Sequence, residues 1–349
     1  MAQLLTQANG GPSVAFHTQA TLPAPGAGEV IVRFLAAPIN PLDLLVLANA
    51  YPAKPSFTHT NGEPIPGYDG VGEVEQCGPG VTTLSPGDTV IPARFGIGTW
   101  RTRAVLPAAA LLQLAARPAD PALAAVLRIT VAPAYFLVED MAPLRPGDWI
   151  AQNAGAGAIA QLVAQFARRR GARVLSVVRD RGADELAAVR RALLAVGVDA
   201  VVTESEMAAA GGQGRRVTLA LDSVHGASGQ RLVKALAPGG TYVQLGFLGG
   251  GKEQLPLDAR DLFGRQLTMK AFRGSYQLGL RSEDEQRGLF DWFVDLFNSG
   301  ELQAPPLGFE PVEWVAADGE GAGKDVVQAV VRAQEARLGQ RKQILLFKH

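Results

Sequence analysis

Residues 148–181, DWIAQNAGAGAIAQLVAQFARRRGARVLSVVRDR, decide the fold of this chain. Trp149 to Gln152 are apolar enough for a buried parallel strand, and Asn153 to Gly157 form a run of small residues. A helix is predicted next, because apolar side chains recur at helical spacing, at Ile159, Leu162, Val163 and Phe166. Gly171 ends that helix, and Arg173 to Val178 form a second strand. The stretch therefore predicts a β-α-β unit.

The turn of this unit is suited to an anionic ligand. Gly155-x-Gly157-x-x-Ala160 is a variant of the dinucleotide motif in which the third glycine is alanine. A pyrophosphate placed there would meet the helix N-terminus and its partial positive charge. The other reading, a glycine turn in an ordinary α/β domain without a nucleotide, stays open on the motif alone.

Arg179-Asp180-Arg181 follows the second strand, where a Rossmann fold meets the adenosine ribose. An acidic residue there suits the free 2′-hydroxyl of NAD, and Asp180 keeps NAD open. Two flanking guanidiniums instead offer planar, charge-assisted hydrogen bonds to a 2′-phosphate. The sequence therefore favours NADP over NAD.

Composition restricts the remaining choices. At 349 residues the chain predicts two domains, and its 33 basic and 33 acidic residues provide no global field for nucleic acid or an anionic membrane. The single cysteine, Cys77, excludes an intrachain disulfide and a multi-thiolate zinc site. Neither a signal peptide nor an apolar run of transmembrane length is found. We therefore expect a soluble cytoplasmic protein with no membrane or nucleic-acid partner.

Strand and helix patterns divide the chain. Residues 1–128 are rich in strands and turns, such as the strand Glu29–Leu35 and the glycine-bearing strand Gly67–Val74. After a helix over Leu123–Met141 that Pro133 interrupts, strands and helices alternate, which indicates a doubly wound parallel sheet. The later predicted elements are strands at Asp199–Thr203, Val217–Asp222, Thr241–Gly246, Leu267–Phe272 and Gln343–Phe347, and helices at Gly229–Leu236, Glu283–Asn298 and Asp325–Arg337.

A β-rich first part, a central Rossmann unit and a C-terminal return resemble the medium-chain dehydrogenase/reductase superfamily. The motifs that carry the resemblance are Asn40-Pro41-Leu42-Asp43, Gly67-Tyr68-Asp69-Gly70-Val71-Gly72, Leu84-Ser85-Pro86-Gly87-Asp88-Thr89-Val90 and Pro133-Ala134-Tyr135. The resemblance implies an α/β fold with a Rossmann domain at 129–272 and a GroES-like β-barrel catalytic domain at 1–128 and 273–349. Zinc-dependent members carry Gly-His-Glu where this chain has Tyr68 and Asp69, so no metal is expected.

Within that superfamily, further stretches resemble the mitochondrial-type trans-2-enoyl thioester reductases. The most specific are Gly96-Ile97-Gly98-Thr99-Trp100-Arg101-Thr102 and Val177-Val178-Arg179-Asp180-Arg181. The resemblance implies NADPH-dependent reduction of an enoyl-CoA or an enoyl chain on an acyl-carrier protein. A tyrosine is the proposed proton donor of that family, and Tyr51 matches it. A tyrosine hydroxyl is protonated at neutral pH and can donate to a substrate carbon.

The resemblance also implies the cofactor positions. Thr130 and Arg273 depart from the family, which has an asparagine and a tryptophan there. The implied set is Thr130, Asn153, Ala156, Gly157, Ala158, Ile159, Arg179, Asp180, Arg181, Leu245, Gly246, Phe247, Leu248, Phe272, Arg273, Gly274, Ser275 and Lys342.

Alternatives remain at this stage. The same scaffold serves NADPH:quinone reductases and enone or alkenal reductases, and a non-enzymatic NADPH-binding scaffold or redox sensor is a further class. A basic patch would favour a thioester substrate by holding phosphate groups or an acidic carrier, and its candidates are Arg94, Arg101, Arg103 and Arg273. A homodimer is expected from the resemblance.

Overall fold

The computed structural model describes residues 2–210, 212, 214–250, 252–315, 323–335 and 341–348. The chain forms two compact units. The first comprises Met1–Ile129, Ser282–Glu301 and Phe309–His349, and the second comprises Thr130–Arg281 and Leu302–Gly308.

The described strands are, in chain order, β1 Ala2–Gln7, β2 Val14–Gln19, β3 Glu29–Pro38, β4 Val71–Cys77, β5 Thr89–Pro92, β6 Arg103–Pro107, β7 Leu111–Gln113, β8 Trp149–Gln152, β9 Arg173–Val178, β10 Ala200–Thr203, β11 Val217–Asp222, β12 Leu236–Gln244, β13 Thr268–Ala271, β14 Phe309–Val315 and β15 Lys342–Lys348. The described α-helices are α1 Pro41–Leu47, α2 Pro121–Ala124, α3 Ala132–Glu139, α4 Ala158–Arg169, α5 Ala183–Ala195, α6 Glu204–Ala210, α7 Gly226–Ala235, α8 Gly274–Gly279, α9 Glu283–Asn298 and α10 Lys324–Gln334.

The second unit is built on a six-stranded parallel sheet with the order β10-β9-β8-β11-β12-β13. Counted from β8, this is the order 3-2-1-4-5-6 of a Rossmann fold, with its switch point between β8 and β11. Parallel strands covered on both faces are buried along nearly their whole length, as β9 and β11 are. The predicted doubly wound parallel sheet is confirmed.

The first unit carries a larger, mainly antiparallel sheet with the order β14-β15-β3-β4-β5-β7, in which β6 also pairs with β3. Strand β3 is central, and alternate residues along it are fully buried, as expected for a strand with one face on a core. Among the large side chains of that core are Phe34, Trp100 and Trp314. The separate pair β1 and β2 is antiparallel.

Several sequence predictions agree with the structure residue for residue, namely the strands β8, β9 and β11 and the helix α9. Helix α9 begins with a capping box between Ser282 and Glu285, which fixes its first turn. The predicted helix Asp325–Arg337 is found as α10, and its last two positions lie outside the described residues.

Other predicted elements have different bounds in the structure, and two of the differences have a clear physical reason. The strand predicted from Gly67 begins only at Val71. Gly67 has a φ of 106°, and a Cβ there would lie 2.4 Å from the Thr99 hydroxyl, so this glycine serves a close approach rather than a strand. The helix predicted over Leu123–Met141 is divided into α2, a π-helical turn and α3, and Pro133 lies in the first turn of α3, where proline is tolerated.

The predicted domain boundaries also differ from the division into compact units. Residues 273–281 belong to the unit of the parallel sheet, since α8 packs on α3 there. In the part of the chain that the structure describes, no helix has both the length and the apolar character needed to cross a membrane.

Candidate active site

The turn between β8 and α4 packs closely against β9. Ala154 adopts a φ of 48°, and the Gly155 amide donates to the Val177 carbonyl at 2.9 Å. A Cβ at Gly155 would lie 2.7 Å from the Ser176 Cβ, so a larger residue would push the turn away from the strand. Gly157 is the N-cap of α4 and has no side chain to satisfy the first amides of the helix.

This geometry fits a pyrophosphate. The predicted residues Ala156, Gly157, Ala158 and Ile159 lie together at the amino end of α4, and no side-chain cap competes for the amides there. A Cβ at Gly157 would meet only the Ala154 carbonyl, at 3.1 Å. Uncapped amides and the helix dipole together make this end of α4 a donor set for an anion.

Asn153 joins the ends of β8 and β11 at the switch point of the sheet. Its Nδ2 donates to Asp222 Oδ1 at 2.7 Å and to Ser228 Oγ at 3.0 Å, and its Oδ1 accepts from the Ser223 amide at 2.7 Å. The side chain is buried. Asn153 therefore fixes the floor of the turn through contacts within the protein.

The arginine cluster after β9 presents positive charge to solvent. Arg179 and Asp180 are exposed, while Arg181 is half-buried and forms an ion pair with Glu185 at 3.0 Å. Hydrogen bonding, first from the Thr203 side chain, holds the pKa of Asp180 below its usual value. The carboxylate that could accept a ribose hydroxyl is thus already engaged, which favours the flanking guanidiniums as ligands for a phosphate.

Two further predicted segments follow β12 and β13. Residues 245–248 are held by backbone bonds from the Leu245 amide to the Asp222 carbonyl and from the Leu248 amide to the Ser223 carbonyl, both 2.9 Å. The Phe247 ring between them is 63% exposed. Carboxyl ends of parallel strands lie along one edge of a sheet, so this segment, the turn after β8 and the arginines after β9 share that edge.

The segment Phe272–Ser275 lies at the same edge. The Phe272 amide donates to the Gln244 carbonyl at 2.8 Å, and Arg273, the N-cap of α8, is exposed. A Cβ at Gly274 would lie 2.9 Å from Pro133 Cγ, so this glycine lets α8 approach α3. Thr130, by contrast, is fully buried.

In the first unit, Tyr51 is half-buried in the turn that follows α1. This turn is held by the left-handed Asn49, whose φ is 53° and whose Nδ2 donates to the Gly10 carbonyl at 2.9 Å. The Ala50 amide donates to the Leu45 carbonyl at 2.8 Å. The backbone next to Tyr51 is therefore fixed, while its phenol remains partly open to solvent.

The first unit also holds a buried polar cluster, formed by Asn40, Asp43, Asp69 and Lys342. Lys342 Nζ donates to Asn40 Oδ1 at 2.7 Å, and the two aspartates are almost completely buried. Burial raises the pKa of Asp43 to about 7 and that of Asp69 to about 8, and it lowers the pKa of Lys342 to about 8. Of these four residues, only Lys342 was predicted from the sequence as a site residue. Asp43, which belongs to the Asn-Pro-x-Asp motif, was the feature that could have indicated the cluster.

Tyr68 and Asp69 stand where zinc-dependent relatives carry metal ligands. Tyr68 is buried, and this burial raises the pKa of its hydroxyl above the usual value. Asp69 is used within the protein, where it accepts from the amides of Ile129 at 2.9 Å and Gly70 at 3.1 Å. Among the described residues, no group of three His, Cys, Asp or Glu side chains could hold a metal ion.

Two of the four candidates for a basic patch, Arg101 and Arg103, are engaged in contacts, whereas Arg94 and Arg273 are exposed. Arg101 is buried, where it donates to the Ile97 carbonyl at 2.8 Å and lies over the Phe57 ring. Its pKa is lowered to about 10 by burial, so it remains charged at neutral pH. Arg103 is ion-paired with Glu75 at 2.9 Å. Arg101 and Arg103 therefore make these contacts with other residues of the first unit.

Two family models match the chain. One describes the alcohol dehydrogenase GroES-like domain, over residues 26–116, and the other zinc-binding dehydrogenase, over residues 158–295. They confirm the predicted combination of a GroES-like domain with a Rossmann domain. Although the second model is named for zinc binding, this chain has Tyr68 and Asp69 where zinc-dependent members carry the His and Glu of Gly-His-Glu.

Curated relatives give a closer comparison. The enoyl-[acyl-carrier-protein] reductase, mitochondrial, of Bos taurus is 36% identical over 84% of this chain and 77% of its own length. The human enzyme of the same name is 34% identical over the same shares. Because these relatives are named as mitochondrial, the expectation of a cytoplasmic protein is wrong; the features used for it, absent apolar segments, do not report on compartment.

Solved structures agree on the fold. The complex of Etr1p with NADP and crotonyl-CoA has a TM-score of 0.83 and 22% identity and covers 99% of both chains. A putative NADPH:quinone reductase from Bacillus thuringiensis has a TM-score of 0.76 and 24% identity, covering 99% of this chain and 98% of its own. The curated relatives and the family models together show that the chain belongs to the zinc-independent enoyl thioester reductases of the medium-chain dehydrogenase/reductase superfamily, a family of NADPH-dependent oxidoreductases.

Proposed function

We propose that this protein reduces the C2=C3 double bond of a trans-2-enoyl thioester with NADPH. The observation that carries the proposal is the Arg179–Arg181 cluster beside an uncapped helix N-terminus, in a chain 36% identical to an enoyl-[acyl-carrier-protein] reductase. An NADP-type dinucleotide needs both a pyrophosphate site and a 2′-phosphate site, and the residues that we propose for them follow the adjacent strands β8 and β9.

Residues of the sheet edge hold and orient the cofactor in this proposal. The amino end of α4 binds the pyrophosphate, and Arg179 and Arg181 bind the 2′-phosphate. Segments 245–248 and 272–275 complete the contact, with Thr130 and Lys342 as further members of the set. When bound, NADPH supplies hydride to the β-carbon of the substrate.

Tyr51 supplies the proton to the α-carbon. Its hydroxyl breaks the O–H bond as the new C–H bond forms, and the resulting phenolate regains a proton from water, which the half-buried ring can reach. Because the backbone of the turn around Asn49 is already fixed, it does not have to become ordered in each catalytic cycle before Tyr51 can react. A Tyr51→Phe protein that binds NADPH normally should lose about 10²- to 10⁴-fold in kcat.

The assay that tests the proposal follows NADPH oxidation with a short enoyl-CoA, a long enoyl-CoA and a quinone. We expect kcat/KM to be highest for an enoyl-CoA, and the two chain lengths report the acyl-chain preference. Faster reduction of the quinone would replace the proposal with the quinone reductase alternative. NADPH binding without reduction of any of these substrates, or of a free enone, would select the non-enzymatic alternative.

The finer assignments are part of the proposal. Residues 1–128 and 273–349 form the catalytic domain and 129–272 the NADPH domain, and an acyl-carrier protein or CoA delivers the substrate. Strand β13 is the last strand of its sheet, with mostly exposed residues, so two copies can join their sheets there as a homodimer. Light scattering should then give twice the chain mass of 36.7 kDa.

A further inference from the structure

His225 has a backbone conformation that side chains rarely adopt. It lies between β11 and α7 with φ 78° and ψ −177°, a region populated almost only by glycine. Such a conformation persists only where the surrounding contacts fix it, and residues of this kind cluster at ligand sites. It follows Asp222, the last residue of β11, by three positions, which places it at the carboxyl edge of the parallel sheet.

Both the backbone and the ring of His225 are held. The amide donates to Asp222 Oδ1 at 2.8 Å. Ring atom Nδ1 lies 2.8 Å from Gln244 Oε1. Because Gln244 Nε2 donates to the carbonyls of Asp222 and Gly246, Oε1 is the acceptor of this pair and Nδ1 is the donor.

The same imidazole contacts the segment 245–248. It meets the Phe247 ring edge-on, with 5.8 Å between centroids and 72° between planes. Phe247 is otherwise largely exposed, so the imidazole is a main constraint on where this aromatic ring lies. His225 thus links β11 to the side chains of Gln244 and Phe247.

We propose that His225 is a positioning residue for the cofactor, which holds Gln244 and Phe247 in the arrangement that receives the dinucleotide. This inference rests on the proposed function, because segment 245–248 is assigned to NADPH there. The backbone of that segment is already fixed by bonds to Asp222 and Ser223. A glycine at position 225 would start α7 without strain, so the ring is not needed for folding and its contribution lies in these side-chain contacts.

Two substitutions separate strain from positioning. His225→Gly removes both the ring and the unfavourable backbone, so Tm should rise by about 2–4 °C while KM for NADPH rises about 3- to 10-fold. His225→Ala removes the ring but keeps the Cβ, so KM should rise equally while Tm does not rise. In both variants kcat at saturating NADPH should stay within about twofold of the parent, since bound cofactor is oriented normally.

Phe247→Ala provides a double-mutant cycle. If the ring acts through Phe247, the losses of NADPH affinity for His225→Gly and Phe247→Ala should be less than additive. Unchanged NADPH affinity in both His225 variants, or full additivity together with a lower Tm for His225→Gly, would overturn the inference. Affinity is measured by nicotinamide fluorescence without substrate, so a parent protein that fails to bind NADPH reports failure of the proposed function instead.

Discussion

The two units each bury carboxylates, and they stabilise them differently. Asp222 in the second unit accepts hydrogen bonds from the side-chain amide of Asn153, from the backbone amides of Val224 and His225, and from the Tyr242 hydroxyl. Among the described residues, Asp69 in the first unit accepts from two backbone amides, and burial raises its pKa to about 8. Each hydrogen-bond donor favours the charged form of a carboxyl group, and the two donors to Asp69 do not offset the cost of its burial.

This difference follows from the groups that surround the carboxylates in each region. At the carboxyl edge of the parallel sheet, Asp222 holds backbone amides and side chains together through its hydrogen bonds. In the polar cluster of Asn40, Asp43, Asp69 and Lys342, two carboxyl groups are buried near an amino group, and burial shifts the pKa of each towards its neutral form.

Removing the Asp222 carboxylate should give the largest effect. Asp222→Ala leaves the Asn153 amide and the Tyr242 hydroxyl buried without their partner, so the free energy of unfolding should fall by about 3 kcal/mol or more. Asp69→Asn is the matched change in the other unit, and should cost about 1 kcal/mol or less at neutral pH, since the carboxyl there is largely protonated. Equal losses by urea unfolding would remove the contrast between the two aspartates.

The predicted charge of the sheet edge can be tested at Arg181. Loss of a charge-assisted hydrogen bond costs about 1.5–3 kcal/mol, so Arg181→Ala should raise KM for NADPH about 10- to 100-fold. KM for NADH, which lacks the 2′-phosphate, should change little. Arg103→Ala is the control, because Arg103 is ion-paired with Glu75 and is not among the proposed cofactor residues; a similar rise in this variant would point to a general charge effect.

Features built from residues that are contiguous in sequence could be predicted, whereas features that join residues distant in sequence could not. The turn 153–157, strands β8 and β9 and the arginines after β9 are contiguous in sequence, and their predicted bounds agree with the structure. The polar cluster joins positions 40, 43, 69 and 342, which only the folding of the first unit brings together. The strain at His225 was equally hidden, because a backbone dihedral leaves no pattern in a single sequence.

A smaller effect is expected within the cofactor turn itself. Gly155→Ala places a Cβ 2.7 Å from the Ser176 side chain, so it should lower the free energy of unfolding by about 1–3 kcal/mol. Gly157→Ala meets only a carbonyl at 3.1 Å and should cost less stability, although it removes space beside the helix amides. Thermal unfolding without cofactor compares the two; a larger loss for Gly157→Ala would show that packing against β9 does not set the turn.

A pH dependence of stability tests the cluster of the first unit. In the folded protein the pKa of Asp43 is about 7 and that of Asp69 about 8, against a usual value of 3.8. The folded state therefore binds more protons than the unfolded state over that range, so stability is greatest at low pH and falls as pH rises through 7 to 8. The pKa of Lys342 is lowered from 10.5 to about 8, which has the opposite sign and makes stability rise again above pH 8.

Thermal unfolding from pH 5 to pH 10 should consequently show a minimum of the cluster's contribution to stability near pH 8. Asp69→Asn cannot titrate, so it should flatten the fall below pH 8 and leave the rise above it. An unchanged slope below pH 8 in this variant would mean that Asp69 is charged throughout this pH range. Burial of a carboxyl group in this cluster would then not be enough to predict that it holds a proton.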